Sequence, residues 1–373
     1  MKSHNPGRRL CQLLICFLYF ILGAGIGYGV AAGLMQTQPG ALCTIPFVIC
    51  LLIALVLHSC LHTIGHWIFG RLTGLQMIAI SFLRHTHVKE GQRFFTRHAL
   101  PENLLSTCIM VPINGRRKAS YTLYWLGGAL MNLLTALLAL FLLCLGCWSL
   151  SSFLGCFAFS LFLAGIWFSL FNGLPLDHGK LPSDGLKAIQ MKQYPDRLNA
   201  FEKNLQILRF LSRGNQNIDH VPKEWLQDTM EEAADPFHAL LWLRQYELLI
   251  CSGYQLKADL ILASLYQNIE NFPEEWQNRI FQECIFSLAY QNCDRELISQ
   301  MMTPERRRQC EEAGTPESCR CLYAWSLMTN QDPRLIAKYK SCAFKANSQL
   351  AFRPAAEAWK QMLTLLQHPI EHS

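Results

Sequence analysis

Four uninterrupted apolar stretches constrain this chain more than any other feature: roughly Leu10 to Met35, Thr44 to Gly70, Tyr121 to Gly146 and Ser152 to Leu174, none containing Asp, Glu, Lys or Arg. A bilayer core of ~30 Å takes about 20 helical residues to cross, so each stretch is long enough to span it. Only 16% of the residues are charged, against ~25% in an ordinary soluble domain. The first stretch follows Lys2, Arg8 and Arg9, as a secretory signal would, but its apolar run exceeds the ~7–15 residues of such a signal. It is read as a retained fourth helix.

Charge is divided unevenly. Residues 1–184 carry 12 Lys+Arg and 4 Asp+Glu, and residues 185–373 carry 21 and 23, so the formal +6 is +8 in one half and −2 in the other. The basic residues flank the apolar runs, which argues for a membrane protein with a cytoplasmic face and against a nucleic-acid binder. Three lie before the first run and eight between Arg71 and Ala119, while 36–43 and 147–151 carry none. Basic loops stay in the cytoplasm, so both termini and the middle loop are expected there. Without targeting features beyond the first span, a bacterial plasma membrane fits. Most of the sixteen cysteines then fall in spans or on the cytoplasmic side, where thiols stay reduced.

The second stretch carries His58, His62 and His66. Their i, i+4 spacing stacks them on one helical face, and two such imidazoles can grip one zinc ion. Ionisable side chains in an apolar span are costly enough that a site is the default expectation. After the fourth stretch come Asp177 and Asp184, the only acids between Glu102 and Asp196. Two histidines with one carboxylate is a catalytic zinc ligand set.

Three blocks carry a resemblance: His62-Thr63-Ile64-Gly65-His66 running on to Gly74, Gly127-Gly128-Ala129-Leu130-Met131-Asn132, and Asn172 through Pro175 to Asp184-Gly185. In this order they resemble the site-2 protease (M50) intramembrane metalloproteases, whose helices carry His-Glu-x-x-His, a Gly-Gly then Asn element, and Asn-x-x-Pro ending in Asp-Gly. The resemblance covers about residues 44–190. It implies His62 and His66 as zinc ligands, Asn132 and Asn172 as polar groups near the site, and Asp184 as third ligand, with Asp177 as the other choice. His58 with His62 has the same spacing and leaves a three-histidine alternative open.

Where the family has Glu, this chain has Thr63. The Glu is the general base that takes a proton from the attacking water, and a positioned base contributes roughly 10²–10⁴-fold in rate. A hydroxyl does not accept that proton near neutral pH. A substitute would have to be Glu90, Glu102 or Asp177, the remaining acids of the membrane half. The expectation is a pseudo-protease that keeps its ligands and has lost its base. The alternative is an active, atypical zinc protease.

Between Leu75 and Asn114, β-character runs (Leu75 to Phe82, His87-Val88, Arg93 to Thr96) flank Lys89-Glu90-Gly91-Gln92, a hairpin pattern. The hairpin would either lie on the membrane surface with its basic residues toward lipid phosphates or, as in related proteases, pair with an unwound substrate segment. From about Lys187 the hydrophobic pattern takes a helical period. Breaks at Ser252-Gly253, Gln291-Asn292 and Thr329-Asn330-Gln331 separate paired helices and resemble tetratricopeptide hairpins. The expected architecture is mainly α: a four-span transmembrane domain over 1–186 with a small cytoplasmic β-hairpin, and a cytoplasmic all-α, TPR-like domain over 187–373. Its expected partners are a membrane protein or peptide at the site, a cytoplasmic protein on the helical domain, and the bilayer. Nucleic acid is not among them.

Overall fold

The structure is a computed structural model. It describes residues 44–366 apart from 83–84, 92, 99–105, 114–120, 149–151, 177–181, 214–219, 227–235, 273, 293–294 and 351. The Leu10–Met35 stretch, both chain termini, Glu102 and Asp177 lie outside the described residues.

The chain is mostly helical, and three helices are long and apolar enough to cross a membrane: α1 (Thr44–Leu72), α2 (Tyr121–Cys144) and α3 (Phe153–Gly173). Their outward residues are apolar, with Leu52, Leu138 and Phe141 each more than half exposed. Exposed contiguous apolar surface of this kind suits lipid and not water. α1 ends where Gly74 takes φ +85°, a left-handed conformation that stops a helix. Thr73 donates its hydroxyl to the Gly70 carbonyl.

The chain then enters a four-stranded antiparallel sheet, β1 (Leu75–Phe82), β2 (His85–Glu90), β3 (Arg93–His98) and β4 (Ser106–Pro112), in the order β3-β2-β1-β4. The expected hairpin is β2–β3, closed by the Glu90↔Arg93 pair and turned at Gly91, φ +61°. β4, which pairs along the whole of β1, is an addition to it. Its run Cys108–Val111 is too short to separate strand from helix by periodicity.

Three helical hairpins follow the short α4 (Asp184–Gln193) and α5 (Pro195–Leu211). They are α6 (Pro236–Cys251) with α7 (Gln255–Gln267), α8 (Glu274–Tyr290) with α9 (Arg295–Met301) and, after α10 (Pro304–Ala313), α11 (Pro316–Met328) with α12 (Pro333–Ser348); α13 (Arg353–Leu365) closes the set. Each hairpin turns on a left-handed residue at an expected break: Gly253 (φ +77°), Asn292 (φ +54°) and Asn330 (φ +49°). Glycine and asparagine tolerate that conformation best. α10, α11 and α12 begin alike, with Thr303, Thr315 or Asp332 accepting a backbone N–H and proline at the first helical position, which satisfies one orphan donor and pre-sets the first turn.

The described chain packs as two compact units, 44–66 with 125–187 and 67–124 with 188–366. In the second, Tyr124 donates to the Cys108 carbonyl at 2.6 Å and Tyr121 meets Phe201 edge-on. Cys319 and Cys342 bring their sulfurs together across a Cα–Cα distance of 5.7 Å, a span a disulfide bridges. Helix packing juxtaposes these two residues, which sequence spacing does not relate.

The apolar core of the helical unit encloses a charged cluster. Arg320, 1% exposed, donates to Glu283 at 2.5 Å and to Asn347 at 2.6 Å and stacks on Trp359. Arg279 bridges Glu317 and Glu247, which also pairs with Arg244. Complete burial pushes the Glu283 carboxyl up to about 7, against the pull of Arg320 and with Glu247 and Glu317 adding to the rise. Its ordinary value is 4.5, so the folded chain holds a proton that the unfolded chain releases. That stabilisation is complete below pH 4.5 and is lost as pH rises toward 7. Thermal unfolding across this window should show wild type losing on the order of 3 kcal/mol relative to Glu283→Gln. Equal slopes in the two proteins would contradict the assignment.

Candidate metal centre

The site is built where α1, α2 and α3 approach closely, and glycines permit the approach. A Cβ at Gly65 would fall 2.4 Å from the Gly127 carbonyl oxygen, and one at Gly165 would fall 2.6 Å from the His58 ring. Small residues let spanning helices come this near. Asp184 opens α4. Ser183 just before it donates its hydroxyl to the Leu174 carbonyl and accepts from the Leu176 and Leu186 N–H groups. A Cβ at Gly185 would sit 2.0 Å from the Gly173 carbonyl oxygen, so the start of α4 is pressed against the end of α3.

This packing brings His62, His66 and Asp184 together. Asp184 Oδ2 lies 3.0 Å from His62 Nε2 and 3.2 Å from His66 Nε2, and the two Nε2 atoms are 3.1 Å apart. Ligands ~2.1 Å from one tetrahedral ion stand ~3.4 Å from each other, so the triangle has nearly the dimensions one ion requires. The three side chains are 13%, 10% and 10% exposed, which leaves solvent access. Burial opposes ionisation of Asp184. The Lys187 ammonium and His66, with hydrogen bonds from both histidines, outweigh it and hold the carboxyl well below its usual range. Glu247, Glu283 and Glu317 are also close enough to share an ion, but each already faces an arginine.

The remaining expected residues separate into those the fold gathers and those it does not. His58 is fully buried and outside the triangle: Nε2 faces the Leu161 carbonyl at 2.9 Å and Nδ1 faces Asn132 at 3.0 Å. The other end of the Asn132 amide lies 3.3 Å from His62 Nδ1. Hydrogen-bond roles follow from chemistry. A carbonyl only accepts, so His58 Nε2 carries a proton, and a neutral His58 then needs a donor at Nδ1. The two ends of an amide exchange by rotation. As placed, Asn132 turns its carbonyl to His58 Nδ1 and its NH₂ to His62 Nδ1, and His62 donates from Nε2 to Asp184. With the amide turned over, its NH₂ meets His58 and its carbonyl takes a proton from His62 Nδ1, which frees the Nε2 lone pair for a metal. Asn132 thus links His58 to the ligand form of His62. Asn132→Leu is expected to weaken zinc binding by about 10–100-fold, the usual effect of removing a partner behind a ligand, with Asn132→Asp recovering part of it. Titration against a chromophoric chelator measures both, and unchanged affinity in Asn132→Leu would remove this role.

Asn172 donates to the Phe168 carbonyl of its own helix; among the described residues no hydrogen bond joins it to the triangle. Thr63 is buried and donates to the Ser59 carbonyl at 3.2 Å, so its hydroxyl proton is engaged by the backbone. Glu90 lies within electrostatic range of Arg353. Sequence reasoning missed Lys187, whose ammonium is 3.3 Å from Asp184 Oδ1 and 4.7 Å above the Trp125 ring. Its position three residues after Asp184 at the start of a helix is the available clue. No protein-family model, curated protein or solved structure matches this chain.

Proposed function

We propose that this is a membrane-embedded homologue of the site-2 protease (M50) type that keeps the metal ligands His62, His66 and Asp184 and lacks the general base, and that it binds or regulates a membrane protein or peptide as a pseudo-protease. The convergence of three ligand atoms at 3.0–3.2 Å carries the reading, together with the ordered motifs around them. Zinc, when bound there, would supply Lewis-acid chemistry. The chain's own residues do the rest: Asn132 orients His62, Lys187 offsets the charge of Asp184, and Thr63 leaves no proton acceptor next to His62. Four spans with both termini in the cytoplasm of a bacterial cell, and a TPR-like domain offering a docking surface to a cytoplasmic protein, complete the proposal. The hairpin turns at matched left-handed residues favour the repeat.

Zinc content and cleavage of a library of single-span membrane peptides, read by mass spectrometry, test it. Wild type should cleave no faster than His62→Ala, and Thr63→Glu should gain about 10²–10⁴-fold, with Thr63→Gln as shape control. Wild-type cleavage equal to that of Thr63→Glu and abolished in His62→Ala would overturn the pseudo-protease reading in favour of an active, atypical zinc protease.

A further inference from the structure

A cavity of about 210 Å³ opens between the sheet and the end of α5, lined by Gln76, Ile78, Lys89, Arg209, Ser212 and Arg213 together with the turn glycine Gly91. Three of its side chains are cations and none is an acid. Among the described residues, none of the three is in an ion pair. Arg209 spends one N–H on the Ile113 carbonyl at 2.8 Å, which fixes its guanidinium and leaves further donors. Burial and the neighbouring Arg213 both lower the Arg209 pKa, so like charges crowd one wall. The acid nearest in the chain, Glu90, does not line the cavity.

A helix C-terminus by itself disfavours an anion, with about half a negative charge there. Here that charge is small against three cations, and the Ser212 carbonyl is turned to the Gly91 N–H at 3.3 Å. Gln76 adds a neutral donor, while the Ser212 hydroxyl is spent on the Arg209 carbonyl. Uncompensated cations with fixed donors around a concavity are what binds a phosphate group.

We propose that Lys89, Arg209 and Arg213 form a binding site for a phosphate group, carried either by an anionic phospholipid headgroup or by a soluble phosphate ester. The lipid source is close at hand. Gln76 lies four residues beyond the last residue of α1, hence within ~14 Å of the end of a membrane-crossing helix even if fully extended. Phe94 stands directly opposite Lys89 in the sheet and is 50% exposed, and an apolar ring beside a cation suits the headgroup layer. The inference is independent of the metal centre.

Isothermal titration of the full-length protein in neutral detergent decides it, with dioctanoyl phosphatidylglycerol, dioctanoyl phosphatidylcholine and inorganic pyrophosphate as probes. Saturable binding of phosphatidylglycerol, absent with phosphatidylcholine, supports a lipid headgroup. Equal or tighter binding of pyrophosphate supports the same site with a soluble ligand. In both cases Arg213→Gln and Lys89→Gln should each weaken binding by about tenfold, the size of one charge-assisted hydrogen bond, without changing Tm. Arg209→Gln also loses the Ile113 contact, so the other two variants carry the test. No saturable binding of any probe, or binding unchanged in both variants, would overturn the proposal.

Discussion

At pH 8, above the titration of Glu283, replacing Arg320 by methionine is expected to destabilise the helical unit by about 3–5 kcal/mol, the cost of leaving a buried charge without its partner. For a unit of this size that is a fall in Tm on the order of 10 °C. Glu283 would lose its 2.5 Å contact, Asn347 its donor and Trp359 the cation stacked on it. The charge is what makes the substitution expensive, because methionine restores most of the volume. The double variant Glu283→Gln/Arg320→Met should therefore recover much of the loss, since no uncompensated carboxylate is then left buried, and Glu317 and Glu247 keep Arg279. Thermal unfolding of the full-length protein, followed by tryptophan fluorescence, measures the coupling. A single variant costing less than about 1 kcal/mol, or a double variant costing the sum of the singles, would mean that burial of the apolar surroundings holds this core and the ion pair does not.

The largest effect at the proposed metal centre is expected from the smallest change, Gly128→Ala. A Cβ there would lie 2.4 Å, 2.5 Å and 2.6 Å from three atoms of the His62 ring, closer than any real contact. The backbone is hemmed in by the helix crossing, so the ring has to move. If it rotates it leaves Asn132 and Asp184 together, and a ligand set of three becomes two. Zinc affinity should fall by at least about 100-fold, with an overpacking cost to stability of ~1–3 kcal/mol. Metal analysis after dialysis against a chelator reads the first effect and thermal unfolding the second. Retention of zinc at the wild-type level with unchanged stability would show that the ring and Gly128 do not pack as described.

The parts of the molecule legible in the sequence are those governed by local chemistry. The absence of charge over Thr44–Gly70, Tyr121–Gly146 and Ser152–Leu174 marks three helices to within two residues of their ends. The turns at Gly253, Asn292 and Asn330 are visible because few residue types accept a left-handed backbone. β4 was not visible: it pairs with β1 about 30 residues earlier, and its short apolar run has no period of its own. The charged core escaped for the same reason. Glu283 and Arg320 stand on separate helices and meet only when α8 and α11 pack together and exclude water.

By itself, then, the sequence determines the kind of chain this is: apolar helices with a basic middle loop, a helical C-terminal half, and three histidines stacked on one face by the helical repeat. It also determines that Thr63 follows the second of them, because a residue's identity does not depend on packing. Tertiary structure alone decided that His58 is held away from the triangle by Leu161 and Asn132, and that Lys187 stands behind Asp184. These are contacts across more than a hundred residues of chain or between side chains whose directions the backbone path sets. Local periodicity carries no information about them; the glycine-lined approach of α1, α2 and α3 does.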